Sequence, residues 1–249
     1  MNPAGAVALV TGASSGIGRA TALRLARSGA CVLATGRDDE ALGEVAEATE
    51  GRALIADLGS PGAPRRLADD ALGVHGHVDV LVNNAALGWA GDLARMPADR
   101  IEAVVAVNLL APMALTRALL PRMLERGTGH IVNVTSVAGH VGVGDEAVYA
   151  ATKAGLVGFT ESLRYQVGGR VGVSLVSPGV VDTPFFARRG RPYDRRFPRP
   201  IPPDRVAAAI LRAIARDRAH VVVPGWLAFP IWLRGAAPSV YRAMARRFG

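Results

Sequence analysis

"AVALVTGASSGIG" (residues 6–18) runs from an apolar segment directly into a glycine turn and on into a helix-forming stretch. The apolar run is short and β-rich, so it reads as a buried strand. Gly12, Gly16 and Gly18 follow it with the spacing G-x-x-x-G-x-G. Glycines there permit a tight turn, close approach of the backbone to a phosphate and close packing of the next helix. The helix start then offers free N–H groups and the positive end of its dipole to a pyrophosphate. A glycine pattern alone is weak evidence; its place between a strand and a helix gives it weight.

The same alternation continues along the chain. Apolar segments at 6–10, 31–35, 53–56, 78–82, 130–135, 171–176 and 220–224 read as strands. Helix-like stretches at 17–28, 39–49, 61–73, 99–126, 148–167 and 203–216 separate them. Strands alternating with helices imply crossover connections and a parallel sheet. The near-continuous apolar strands fit a sheet covered on both sides. The expected fold class is therefore α/β: a doubly wound, Rossmann-type parallel sheet of about seven strands with helices on both faces. No linker or repeat divides residues 1–249, so they read as one domain.

Composition narrows the function. Hydrophobic residues make up 50% and charged residues 20%, the balance of a soluble globular protein. No signal-peptide pattern precedes the first strand, and the single cysteine, Cys31, suits a reducing compartment; both point to the cytoplasm. Cys31 is expected to be a small buried residue within its strand. The net charge is +8, but no zinc-ligand spacing, basic zipper or ribonucleoprotein motif accompanies it, which argues against nucleic acid as a partner. No metal site is expected.

The second strand ends in "ATGRDDE". An acidic residue at Gly36 would accept hydrogen bonds from the adenosine ribose and repel a 2′-phosphate. Glycine stands there instead, and Arg37 follows, a cation suited to phosphate. This favours NADP(H) over NAD(H). Asp38 and Asp39 read as the start of the next helix, where acidic residues complement the dipole. Asp57, after the third strand, is placed to bond the adenine.

Lys153 is the sole lysine among 29 basic residues, and it lies four residues after Tyr149 in "YAATK". On a helix that spacing puts both side chains on one face. Ser136 ends the strand before them, and Asn83 and Asn84 end the strand before that. Ligands of open parallel sheets sit at the carboxyl ends of the strands, where all these residues fall. An ammonium near a phenol would favour the phenolate and lower its pKa.

In order and spacing, "TGASSGIG", "NNAA", Asn108, Ser136, "YAATK" and "SPGVVDT" (177–183) resemble the short-chain dehydrogenase/reductase family over roughly residues 5–185. "NNAA" differs from the usual family pattern only in ending on Ala86 rather than glycine. The resemblance implies that Tyr149 is the acid/base, that Ser136 binds the substrate oxygen and that Lys153 supports both the phenol and the nicotinamide ribose. It makes Asn108 the fourth member of the catalytic set, holding a water that links Lys153 to solvent. Pro112 supplies a physical reason, since it lacks the N–H that the Asn108 carbonyl would accept in a helix. The cofactor site implied by the resemblance comprises Gly12, Ser14, Ser15, Gly16, Ile17, Gly18, Arg37, Asp57, Leu58, Asn84, Ala85, Tyr149, Lys153, Pro178, Gly179, Val181 and Thr183.

The expected activity is interconversion of a ketone and a secondary alcohol, with an apolar small-molecule substrate. Two alternatives stand beside it: reduction of a carrier-bound β-ketoacyl thioester, and a non-catalytic NADP(H)-binding redox sensor. Residues 184–203 hold six prolines and six arginines and occupy the family's variable substrate loop; regular structure is not expected there. Phe185, Phe186, Tyr193 and Phe197 are expected to line an apolar pocket. The tail from 224 to 249 mixes Trp226, Phe229, Ile231, Trp232 and Leu233 with Arg234, Arg242, Arg246 and Arg247. Packing on the fold or on another subunit is the favoured reading of this tail, with contact at a membrane surface second. Family members usually form homodimers or homotetramers through the helices that correspond to 99–126 and 148–167.

Overall fold

The computed structural model describes the backbone of residues 1–248 and the side chains of residues 1–245; the Arg246 and Arg247 side chains of the tail lie outside the described residues. Seven parallel strands form one sheet in the order β3-β2-β1-β4-β5-β6-β7. They are β1 (Val7–Thr11), β2 (Cys31–Gly36), β3 (Arg52–Ile55), β4 (Val80–Asn83), β5 (His130–Val134), β6 (Gly172–Pro178) and β7 (His220–Val223). Helices α1 (Gly16–Arg27), α2 (Asp39–Thr49) and α3 (Ala63–His75) connect the first four strands. Then come α4 (Ala98–Val105), α5 (Ala111–Arg126), α6 (Ala138–Val141), α7 (Ala147–Val167), α8 (Phe185–Arg188) and α9 (Pro203–Arg216). The chain closes with α10 (Ala228–Ala236) and α11 (Pro238–Phe248).

Alternating strand residues face opposite layers. In β1, Ala8 and Val10 join a core with Ala22 and Leu25 of α1, Leu42 of α2 and Ile210 of α9. Val7 and Leu9 join the other core, with Leu67 of α3, Leu115 and Leu119 of α5 and Leu163 of α7. Burying a side chain of this kind is worth about 1.5–3 kcal/mol, so each strand is held from both sides. The order reverses at β1, which opens a crevice between the carboxyl ends of β1 and β4.

The predicted elements reappear with their ends shifted by a residue or two, and three details differ. The predicted helix 99–126 is interrupted by a π-helical turn at Ala106–Leu110, where the Ala111 N–H bonds to the Ala106 carbonyl, five residues back. Pro112 lies just beyond and has no N–H to offer the Asn108 carbonyl, so the regular helical ladder breaks here. Cys31 is exposed, against expectation, because it is the first residue of β2, where the strand emerges from its loop. Residues 184–203 do contain regular structure, the single turn of α8. Their base is pinned by a bridge between Val181 and Ile201.

Candidate active site

The glycine turn is built around close contacts. A Cβ on Gly18 would lie 2.0 Å from the Gly12 carbonyl oxygen, and one on Gly12 2.9 Å from the Ala85 Cα. Gly16 has φ +55°, and its Cβ would meet Thr183 at 2.8 Å. Asn84 secures the turn: its Nδ2 donates to the Thr11 carbonyl at 2.9 Å, and its N–H to Thr11 Oγ1 at the same distance. The turn is a cradle that side chains would fill, which is what a pyrophosphate requires.

Asp38 caps α2, accepting from the Ala41 N–H at 3.1 Å, as its place in the sequence suggests. Arg37 is exposed beside it, at the rim of the crevice. Asp57 accepts from the Gly59 N–H at 3.1 Å in the loop after β3 and also borders the crevice.

On the opposite wall, α6 and α7 meet without space between them. A Cβ on Gly139 would lie 2.7 Å from the Lys153 backbone carbon. The Val137 N–H donates to the Pro178 carbonyl at 2.9 Å, fixing the loop that carries Ser136. The Lys153 Nζ is buried, donates to the Val134 carbonyl at 2.9 Å and lies 5.8 Å from the centre of the Tyr149 ring. Burial lowers its pKa to about 8.

The tyrosine departs from expectation. Burial pushes the Tyr149 phenol well above its ordinary value; the neighbouring Ser136 hydroxyl offsets part of this, and Glu146 adds to it. Lys153 is not among the groups that move the phenol; its ammonium donates to the Val134 carbonyl and is itself destabilised by burial.

Asn108 is fully buried behind the site. Its Oδ1 accepts from the Leu87 N–H at 2.8 Å, and its Nδ2 donates to the Leu87 carbonyl at 2.8 Å and to Thr152 Oγ1 at 3.2 Å. The side chain thus clamps the segment after β4 to α7, while its backbone lies within the π turn.

One cleft of about 1520 Å³ gathers these groups. Its lining includes Gly12, Ser14, Ser15, Gly16, Ile17, Arg37, Asp57, Leu58, Asn84, Ala85, Ser136, Tyr149, Lys153, Pro178, Gly179, Val181 and Thr183. Gly18 and Asn108 stand behind the wall and shape it. Small-ligand sites occupy roughly 300–1,000 Å³, so this volume suits a dinucleotide and a substrate together.

The arginine-rich loop covers one end of the cleft. Phe185 lies 5.3 Å from Tyr149, ring centre to ring centre, and Arg188 donates to Ser15 Oγ at 3.2 Å. Phe186, Tyr193 and Phe197 line the cleft as expected. From the tail, Leu227, Phe229 and Leu233 join them.

Sequence reasoning missed a polar cluster beside the site. Ser177 Oγ lies 2.9 Å from His140 Nε2 and 2.8 Å from His220 Nε2, and the two rings stack 5.0 Å apart. Burial lowers the pKa of both, His140 to about 4, so at neutral pH they are uncharged struts. Arg234 donates to the His140 carbonyl and ties the tail to this cluster. Ser177 opens the SPGVVDT segment, but no local spacing links it to residues 140 and 220, so nothing in the sequence marked the cluster.

The sequence profile of short chain dehydrogenase matches residues 6–194. The chain belongs to the short-chain dehydrogenase/reductase family. It is 36% identical to the ketoacyl reductase HetN of Nostoc sp. over 88% of this chain and 78% of that protein. Two family structures superpose closely. One, from Burkholderia phymatum in complex with NAD, has a TM-score of 0.87 and 28% identity and covers 96% of both chains. The other, from Sphingobium yanoikuyae in complex with NADPH, has a TM-score of 0.84 and 28% identity, covering 97% of this chain and 95% of that one. This family member is an oxidoreductase that acts on CH–OH groups with NAD(P).

Proposed function

We propose that this protein is an NADPH-preferring reductase of an apolar ketone. The observation that carries the reading is the convergence of Ser136, Tyr149 and Lys153 on one cleft beside the glycine cradle. The glycine turn, Asn84 and Thr183 would hold a nicotinamide dinucleotide, with Arg37 at the 2′-phosphate. Bound there, the dinucleotide supplies the hydride.

The chain's own residues manage the proton. The buried Tyr149 phenol keeps its proton at neutral pH and passes it to the substrate oxygen. Ser136 donates a hydrogen bond to the same oxygen and holds it beside the phenol. With a pKa near 8, Lys153 can give and regain a proton close to neutrality, which an arginine could not do. Asn108 holds the water that connects Lys153 to solvent. Phe185, Phe186, Leu227 and Leu233 exclude water and favour an apolar substrate. The outer faces of α5 and α7 would join a second copy.

A second reading has its own support. Arg188, Arg191 and Arg195 border the cleft, and the Nostoc relative is named a ketoacyl reductase. A carrier-bound thioester would place its phosphate among those arginines. Neutralising Arg191 and Arg195 would then cripple turnover of a thioester and spare that of a neutral ketone.

The test of the leading reading is a fluorescence titration with NADPH and with NADH. NADPH is expected to bind at least tenfold more tightly, an advantage that Arg37→Ala removes while leaving NADH affinity unchanged. Equal or tighter binding of NADH would overturn the preference.

A further inference from the structure

We propose that the face around the mouth of the cleft docks on an anionic lipid bilayer, so that the cleft opens against the membrane. The first observation is a connected aromatic surface. Phe197 is 70% exposed, Trp226 49%, Phe229 61% and Trp232 63%. Phe197 of the arginine-rich loop stacks on Trp226 of the tail at 5.3 Å, and Phe229 stacks on Trp232 at 6.0 Å. Two segments distant in sequence therefore form one apolar surface. Phe229 and Phe197 also line the cleft, so the surface borders its mouth.

The tail is anchored along one edge. Leu227 is buried and Arg234 grips the His140 carbonyl, yet α10 has no buried residue. Nothing among the described residues covers its aromatic side. Val240 and Met244, one turn apart on α11, are exposed as well.

Charge selects the occupant. Residues 184–203 hold six arginines against one aspartate, and residues 218–249 hold five arginines and no acid. Each segment is net +5 while the whole chain is +8, so the remainder is net acidic by two. The basic charge of the molecule thus belongs to the two segments that carry the exposed aromatics. Within the loop Arg189 and Arg191 pair with Glu146 and Asp145, which leaves Arg195, Arg196 and Arg199 exposed beside the aromatics. Rings next to such arginines match the boundary of an anionic bilayer, where rings enter the interface and guanidinium groups meet phosphates. A second copy fits this face poorly. A two-fold contact would set the same arginines against each other. It would also close the mouth of the cleft.

Sedimentation of the 249-residue chain with vesicles tests the proposal, using phosphatidylcholine alone and phosphatidylcholine mixed with phosphatidylglycerol. The protein is expected to pellet with the anionic vesicles at low salt, with a blue shift of tryptophan emission, and to be released by high salt. Trp226→Ser combined with Trp232→Ser should weaken partitioning by about tenfold or more. Arg196→Gln and Arg199→Gln should each weaken it by about fivefold. None of these four residues lines the cleft, so unchanged NADPH binding in the same samples shows that the variants fold. Absence of pelleting, or equal pelleting with both vesicle types, would overturn the proposal. So would an oligomer of the wild-type protein that the two tryptophan substitutions dissociate, since a second copy would then cover this face. The readout involves no turnover, so its failure and failure of the reductase reading are distinguishable.

Discussion

Arg189, on the loop that covers the cleft, forms an ion pair with Glu146, three residues before Tyr149. Both side chains are largely shielded from solvent. Burial raises the Glu146 pKa, and the Arg189 guanidinium opposes that rise. The same guanidinium lies 4.6 Å from the Phe186 ring centre, and its Nε donates to the Arg191 carbonyl at 3.0 Å. One pair thus latches the loop, and with it Phe185, over the phenol.

Removing one partner leaves the other uncompensated. Arg189→Met should destabilise the fold by ~3 kcal/mol, and adding Glu146→Gln should recover most of the loss. The substrate KM should rise by about tenfold in Arg189→Met, with kcat changed less, because the loop no longer holds its closed arrangement. Denaturant unfolding and steady-state kinetics on the two variants check both statements.

The glycine turn provides a matched pair of substitutions. Gly18→Ala forces a Cβ against the Gly12 carbonyl oxygen and should abolish NADPH binding and lower Tm. Gly43→Ala, on the exposed side of α2 with nothing within 4 Å, should stabilise the helix by about 0.8–1 kcal/mol and leave binding intact. Thermal unfolding together with cofactor titration separates the two.

Lys153 should appear in the pH dependence of stability. Its pKa is about 8 in the fold against 10.5 for the ordinary side chain. Between those values the unfolded chain holds the proton and the folded chain has released it, so rising pH favours the folded state. The stability of the wild type relative to Lys153→Met should therefore climb from about pH 8 to about pH 10. The raised Tyr149 acts in the opposite sense at higher pH, but both proteins retain it, so the difference isolates the lysine. A flat difference would contradict the shift.

The π turn links Pro112 to the proposed water at Asn108. Pro112→Ala restores a helical donor four residues after Asn108. Turnover should fall several-fold while NADPH affinity stays unchanged. Equal turnover in both proteins would remove Asn108 from the relay.

Much of this was legible in sequence because the signals are local. Alternation of apolar runs with helical stretches located the strands, and the glycine spacing located the cradle. The coupling of Tyr149 to Lys153 was legible as a shared helix face, but its electrostatics were not. Burial raises the phenol and lowers the ammonium, and burial depends on how α6, α7 and the covering loop meet. The His140–Ser177–His220 cluster and the Arg189–Glu146 latch were hidden for the same reason, since each joins residues far apart in the chain. Cys31 was misread because a strand's first residue shares its composition but not its burial.

The most direct test of the central claim is carbonyl reduction by Tyr149→Phe under single-turnover conditions with NADPH bound. The substitution removes one hydroxyl and should leave NADPH affinity and the fold intact. Loss of at least a thousandfold in the rate of cofactor oxidation by an apolar ketone, on the order of what general acid catalysis supplies, is the expected result. A rate near that of the wild type, with cofactor still bound, would contradict the assignment of Tyr149 as the proton donor.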